Sequence, residues 1–308
     1  MSGRSQIWRG RLALAATIII WSTPPIFQFW LARDFDPWSQ NFYRYAAGFL
    51  AVLPFLLWRS RWSLRRLGSK DWLGCAAAAV PNVIHQVAQT IAVVLLWPGI
   101  YALLGRMSVI FTALLAVVFF ADERWIGRSL KFQAGTVLAL AGVIGLVWVP
   151  NDSMAGSFPW TGFWLAVTAA LGWSFYGIMV KKFTVRTGPA LGFGMIGFST
   201  AALLLPLMLL FGDASTIFRV DAWTNGILFG SGIVSIGLGH WLYYVGIRDL
   251  GVAPSQSALL LCPLGTILLS TLFFDETFGW GQIAAGAVLL AGAFLALAAR
   301  SPLPRQSK

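Results

Sequence analysis

The sequence predicts an all-α integral membrane protein: ten transmembrane helices arranged as a 5+5 inverted-topology repeat. Three observations lead there. Of the 308 residues, 58% are hydrophobic and only 11% charged, against about 25% charged in an ordinary soluble domain, and the mean hydropathy is +0.74. Ten apolar segments can be marked, each near the ~20 residues a spanning helix needs. An acidic motif closing the fourth segment returns at the end of the ninth. Disorder is excluded because it requires low hydrophobicity, and the loops are too short for a soluble ATPase or kinase module.

In order, the segments run over 12–31, 38–58, 72–94, 98–120, 132–149, 160–180, 189–211, 225–247, 252–274 and 280–299. The first follows Arg4, Arg9 and Arg11 as a signal peptide would. It is too long for one, and no A-x-A site follows, so it reads as a retained helix. With the N-terminus inside, eighteen of the 22 Lys and Arg fall in inner loops and tails. Only Arg33 and Arg219 fall outside, and Arg44 and Arg106 lie within segments. This bias places both termini in the cytoplasm. It also accounts for the net charge of +11 without a nucleic-acid partner. Cys75 and Cys262 sit in apolar runs with no metal-ligand spacing and no disulfide framework, so neither a metal nor a cofactor is expected.

The repeat is read from Phe119-Phe120-Ala121-Asp122-Glu123 and Phe273-Phe274-Asp275-Glu276. Each is followed by an apolar segment punctuated by Gln and Gly: Gln133, Gly135, Gly142, then Gln282, Gly286, Gly292. The halves are residues 1–150 and 151–308. Five spans is an odd number, so the second half enters from the opposite side. Inverted repeats of this kind are typical of secondary transporters, which bind substrate near the midplane between the repeats.

"IIIWSTPPI" in segment 1, "FYRYAAGF" in segment 2, the acidic end of segment 4 and "CPLGTILLSTLFFDE" in segment 9 occur in an informative order. Over nearly its whole length the chain resembles the drug/metabolite transporter (DMT) superfamily, EamA type, and within it the YddG-like amino acid exporters. The resemblance implies the DMT transporter fold, and export across the bacterial cytoplasmic (inner) membrane by alternating access. One departure stands out. Pro263 lies thirteen residues before Glu276, but the matching place in segment 4 is Ile110, with Arg106 one turn earlier.

Segments 5 and 10 are apolar all round and belong at the periphery. Their small residues (Gly142, Gly286, Gly292, Ala293, Ala296) suit a partner helix or, in a homodimer, a second protomer. Segment 3 is the opposite case. Asn82, His85, Gln86 and Gln89 fall at i, i+3, i+4 and i+7 and form one stripe, which either bonds neighbouring helices or lines a wet cavity. Arg106 has no acidic partner at its depth. It anchors an anionic group of the substrate, or it donates to backbone carbonyls. Arg44 lies nearer a segment end and is read as structural or as part of an outer gate.

Pro24, Pro25, Pro81 and Pro263 free the carbonyls four residues earlier, as hinges or as static kinks. Trp21, Tyr101, Trp173, Tyr176, Trp241 and Tyr244 lie away from the aromatic belts, and either pack or wall a pocket. An amino acid needs a cation for its carboxylate, acceptors for its ammonium and a wall for its side chain. Arg106 supplies the first. The segment 3 stripe with Ser255, Gln256 and Ser257 supplies the second, and the aromatics supply the third. The expected substrate is therefore a neutral apolar or aromatic amino acid. Cationic drugs or other small metabolites are the alternative, and an intramembrane enzyme built on Ser231 with a histidine is a distant one. His85 and His240 are the only candidate proton relays; without them the chain is a facilitator.

Overall fold

The computed structural model of the protein describes residues 3–64, 68–119, 128–149, 158–187, 189–250 and 252–298. Among the described residues every regular element is helical. Helical stretches are forced on a chain in lipid, because each backbone N–H and C=O must be bonded within the segment. Among the described residues eight stretches are long and apolar enough to cross a membrane, and Cys262–Phe274 is a shorter apolar helix.

Segment 1 is divided into α1 (Gly3–Trp21) and α2 (Pro24–Leu31). The two adjacent prolines lack N–H donors and suit the first turn of a helix, and the chain turns just before them at Ser22 and Thr23. Segments 2 and 3 are α3 (Pro37–Leu64) and α4 (Ser69–Leu96). Segment 4 is divided into α5 (Pro98–Leu104) and α6 (Met107–Phe119), and segment 5 is α7 (Leu130–Trp148). Segments 6 and 7 are α8 (Trp160–Thr187) and α9 (Pro189–Phe211). Segment 8 begins with α10 (Ala222–Ser231), passes through a π-helical turn (Gly232–Leu238) and ends with α11 (Gly239–Leu250). Segment 9 is divided into α12 (Val252–Leu259) and α13 (Cys262–Phe274), and α14 (Trp280–Leu297) closes the fold. Asp36 caps α3 through the N–H groups of Trp38 and Ser39, both at 2.9 Å. Asp221 caps α10 through Thr224 N–H at 2.7 Å.

The packing exchanges the halves. Helix α1 lies on α11 and α4 lies on α8, so segments 1 and 3 of one half meet segments 8 and 6 of the other. Helices α7 and α14 pack against each other at the periphery, with Val137, Ile144, Ile283 and Phe294 facing outward. Their small residues serve this contact: a Cβ on Gly142 would strike Leu289, and one on Gly292 would strike Ala139. Lipid tails are as apolar as side chains, so close van der Waals approach drives such a contact. The glycines read as a face for a partner helix thus find that helix within the chain.

One expectation is corrected. Pro81 does not break its helix: α4 runs unbroken past it. Segment 4, which has no proline at the matching place, is broken at Gly105 and Arg106, between α5 and α6. The motif residues Phe120–Glu123 lie outside the described residues.

Candidate functional site

The broken helices converge. Ser22 Oγ donates to the Cys262 carbonyl at 3.1 Å, and Thr266 Oγ1 donates to the Ser22 carbonyl at 2.9 Å. The break between α1 and α2 therefore sits against the break between α12 and α13. On the other side of the bundle Ser174 Oγ donates to the Ser108 carbonyl at 2.9 Å, joining α8 to the start of α6. Between these contacts lies a cavity of about 90 Å3. Eleven of its lining residues had been singled out in the sequence: Trp21, Pro24, Pro25, Arg44, His85, Gln86, Gln89, Tyr101, Arg106, Trp173 and Pro263, with His240 a twelfth as a relay candidate.

The lining holds two guanidiniums and, among the described residues, no acidic side chain. Arg106 Nη1 donates to the Leu259 carbonyl at 3.1 Å while its Nε has no partner. Leu259 is the residue whose carbonyl Pro263 leaves without a helical donor. Arg44 is 1% exposed. Its Nε donates to Ser231 Oγ at 3.1 Å, and its Nη1 has no partner. Arg44 also lines the cavity, beside the contact it makes with Ser231. It reaches the cavity because α3 lies directly on the π-helical turn, where a Cβ on Gly232 would strike the Arg44 backbone.

Opposite character comes from the rings. His85 Nδ1 lies 2.8 Å from the Ala169 carbonyl, and His240 Nδ1 lies 3.0 Å from the Ile236 carbonyl. A carbonyl only accepts, so each Nδ1 carries the proton, and in the neutral ring Nε2 is left as an acceptor. His240 Nε2 is unpartnered, as is the Ser235 hydroxyl. The Trp21 ring packs 5.5 Å from Trp173 and 5.0 Å from His240, and His85 lies 5.1 Å from Trp173. Trp21 is held by its Nε1–H, which donates to the Ser235 carbonyl at 3.0 Å. Of the nine buried side-chain atoms without a partner among the described residues, four belong to cavity residues: Arg44 Nη1, Arg106 Nε, Ser235 Oγ and His240 Nε2. Each costs about 1–3 kcal/mol, and more where the group is charged, a cost that a bound polar ligand would remove.

Other sequence-predicted residues lie elsewhere. Asn82 is interhelical: its Nδ2 donates to Tyr45 OH at 2.9 Å and to Thr200 Oγ1 at 3.1 Å. Tyr176 and Tyr244 bond each other at 2.6 Å, behind His240. Trp241 turns away to Phe55, at 5.2 Å. Gln256 Nε2 donates to Tyr243 OH at 2.6 Å, Ser255 is buried off the cavity, and the Ser257 side chain lies outside the described residues. Ser231 is engaged by Arg44, not by a histidine. Sequence reasoning missed Ser108, Ser235, Thr266 and Cys262 as lining residues. It also missed Gln28, which links Gln89 (2.7 Å) to Thr90 (3.0 Å) beneath the cavity. The cue for Ser235 was the glycine spacing around it, at Gly232, Gly237 and Gly239.

A second contact between the halves lies at the α13–α14 loop. The Glu276 carboxylate is fully buried and accepts from the N–H groups of Gly99 (2.8 Å) and Ile100 (3.2 Å) at the start of α5, and from Ser270 Oγ. Burial pushes its carboxyl above the usual range, against the lowering effect of these three donors.

A ten-segment helical bundle with broken helices around a central polar cavity defines a membrane carrier. The EamA-like transporter family matches residues 8–148 and again 160–298, and the chain belongs to that family. An uncharacterized transporter of Archaeoglobus fulgidus is 27% identical over 291 residues, covering 93% of this chain and 96% of that protein. One of Haemophilus influenzae is 27% identical over 205 residues, 64% of each chain. A solved crystal structure with 19% identity covers 96% of this chain and 97% of its own at a TM-score of 0.67, a likeness of fold. The protein is a transporter and not an enzyme.

Proposed function

We propose that the protein exports amino acids across the cytoplasmic membrane, binding them in the central cavity and releasing them by rocking of the two halves. The observation that carries this reading is Arg106: a guanidinium at a helix break, with one bond to a carbonyl and a free Nε. Such a group suits a carboxylate, which takes charge-assisted hydrogen bonds from it. The acceptor Nε2 atoms of His85 and His240 and the indole faces of Trp21 and Trp173 suit an ammonium. A cationic drug finds no acidic side chain among the described lining residues. Export as the direction rests on the resemblance of the sequence to amino acid exporters. The excess of Lys and Arg on one side supports cytoplasmic termini.

The test is counterflow in proteoliposomes loaded with a panel of unlabelled amino acids. Uptake of label that depends on the loaded amino acid, and is lost in Arg106→Ala, is expected. Uptake that survives Arg106→Ala discards Arg106 as the anchor. No uptake of any amino acid overturns the reading.

A further inference from the structure

The cavity holds more positive charge than one carboxylate can answer. Arg44 and Arg106 both line it, each carries a buried N–H without a partner, and no described lining residue is acidic. Arg44 is bonded only through Nε, to a neutral hydroxyl. A neutral amino acid is a zwitterion; binding it pairs one guanidinium and leaves the second without a counter-charge in the cavity wall. A substrate with two carboxylates pairs both.

We propose that the cavity selects acidic amino acids, with one carboxylate on Arg106, the other on Arg44, and the ammonium toward the Nε2 atoms of His85 and His240. This narrows the amino acid reading and rests on it. The second guanidinium acts as the specificity determinant. With Arg106 alone, side-chain charge would go unread, and the aromatic rings would favour apolar substrates. With Arg44 in the same wall, a glutamate-like substrate gains a second charge-assisted pair, and its neutral amide analogue meets an unpaired cation. The ring faces of Trp21 and Trp173 then serve the ammonium rather than an apolar side chain.

The experiment is counterflow in proteoliposomes with labelled glutamate, competed by glutamate, aspartate, glutamine, leucine, phenylalanine and succinate. Binding in detergent is followed in parallel by the fluorescence of the cavity tryptophans. In the wild type, glutamate or aspartate should compete at least about tenfold better than glutamine or leucine, the worth of one charge-assisted bond. Arg44→Gln should remove most of that preference, so that glutamate and glutamine compete alike, and Arg44→Lys should keep part of it. Should Arg44→Gln fail to fold, the wild-type ranking and Arg44→Lys still decide. Leucine or phenylalanine competing as well as glutamate overturns the acidic preference and leaves the amino acid reading standing. An equal loss for every substrate in Arg44→Gln overturns the role of Arg44. Succinate acting without any amino acid overturns the amino acid reading and, with it, this narrowing. Absence of both counterflow and a fluorescence response to all six compounds overturns both.

Discussion

Arg106 donates to the carbonyl of Leu259 at 3.1 Å, the carbonyl that Pro263 leaves without its helical donor. The bond crosses from the first half to the second, so the side chain that faces the cavity also closes a helix break in the other repeat.

Arg106→Met should abolish transport yet not lower thermal stability. The substitution leaves the Leu259 carbonyl unbonded, at about 1–3 kcal/mol. It also removes a part-buried guanidinium whose Nε is buried without a partner, at about 1–3 kcal/mol and more because the group is charged. The second quantity wins, so the ligand-free Tm should stay level or rise. A fall of more than a few degrees would mean that the bond to Leu259 outweighs the burial of the charge.

Glu276 should make stability pH-dependent. Its carboxyl is raised by burial in the folded protein, so its contribution is fully present below the unfolded value of ~4.3. That contribution is lost as pH rises through the raised folded value. Tm measured upward from about pH 4 should therefore fall through this window in the wild type and stay flatter in Glu276→Gln, which keeps one acceptor oxygen. Glu276→Ala strands the N–H groups of Gly99 and Ile100 and should lose about 1–3 kcal/mol for each at every pH. Parallel Tm profiles for wild type and Glu276→Gln would show that this carboxyl does not titrate there.

Asn82 and Gln89 lie on one helix face but should part in function. Asn82→Leu removes the bonds to Tyr45 and Thr200 and should cost about 1–2 kcal/mol of stability while leaving substrate affinity intact. Gln89→Leu should weaken binding as well, because Gln89 lines the cavity. Binding isotherms beside melting curves separate the two, and equal binding losses would contradict the placement of Asn82.

Gly292→Val should loosen the α7–α14 pair. No room exists for a Cβ between Gly292 and Ala139, and overpacking of this kind costs about 1–3 kcal/mol. A Tm within a degree of wild type would show that the two helices separate without penalty.

The fold was legible because the bilayer fixes both the length and the apolarity of each span, and because Pro24, Pro25 and Pro263 mark breaks by chemistry alone. The break at Gly105 and Arg106 has no proline, and Pro81 sits within a helix that continues. The site was half legible. His85, Gln86 and Gln89 face the cavity as their spacing says, but a stripe eight residues long also reaches Asn82, which meets Tyr45 instead. The turn over Gly232–Leu238 is π-helical (i→i+5), a register that α-helical spacing does not give; His240 enters the cavity while Trp241 turns to Phe55. That Arg44 lines the cavity was not legible, because depth along a segment says nothing about which neighbour its backbone touches.

The Glu276 contact has a consequence for biosynthesis. Gly99 and its carboxylate partner are separated by 177 positions, and translation proceeds at ~5–20 residues per second. The first half therefore waits roughly 9–35 s in the membrane with the N–H groups of Gly99 and Ile100 unanswered. Until the ninth segment has been threaded into the bilayer, those two amides depend on water or on the insertion machinery. A ribosome stalled before residue 276 should leave the start of α5 open to fast hydrogen exchange, and release of the full chain should close it.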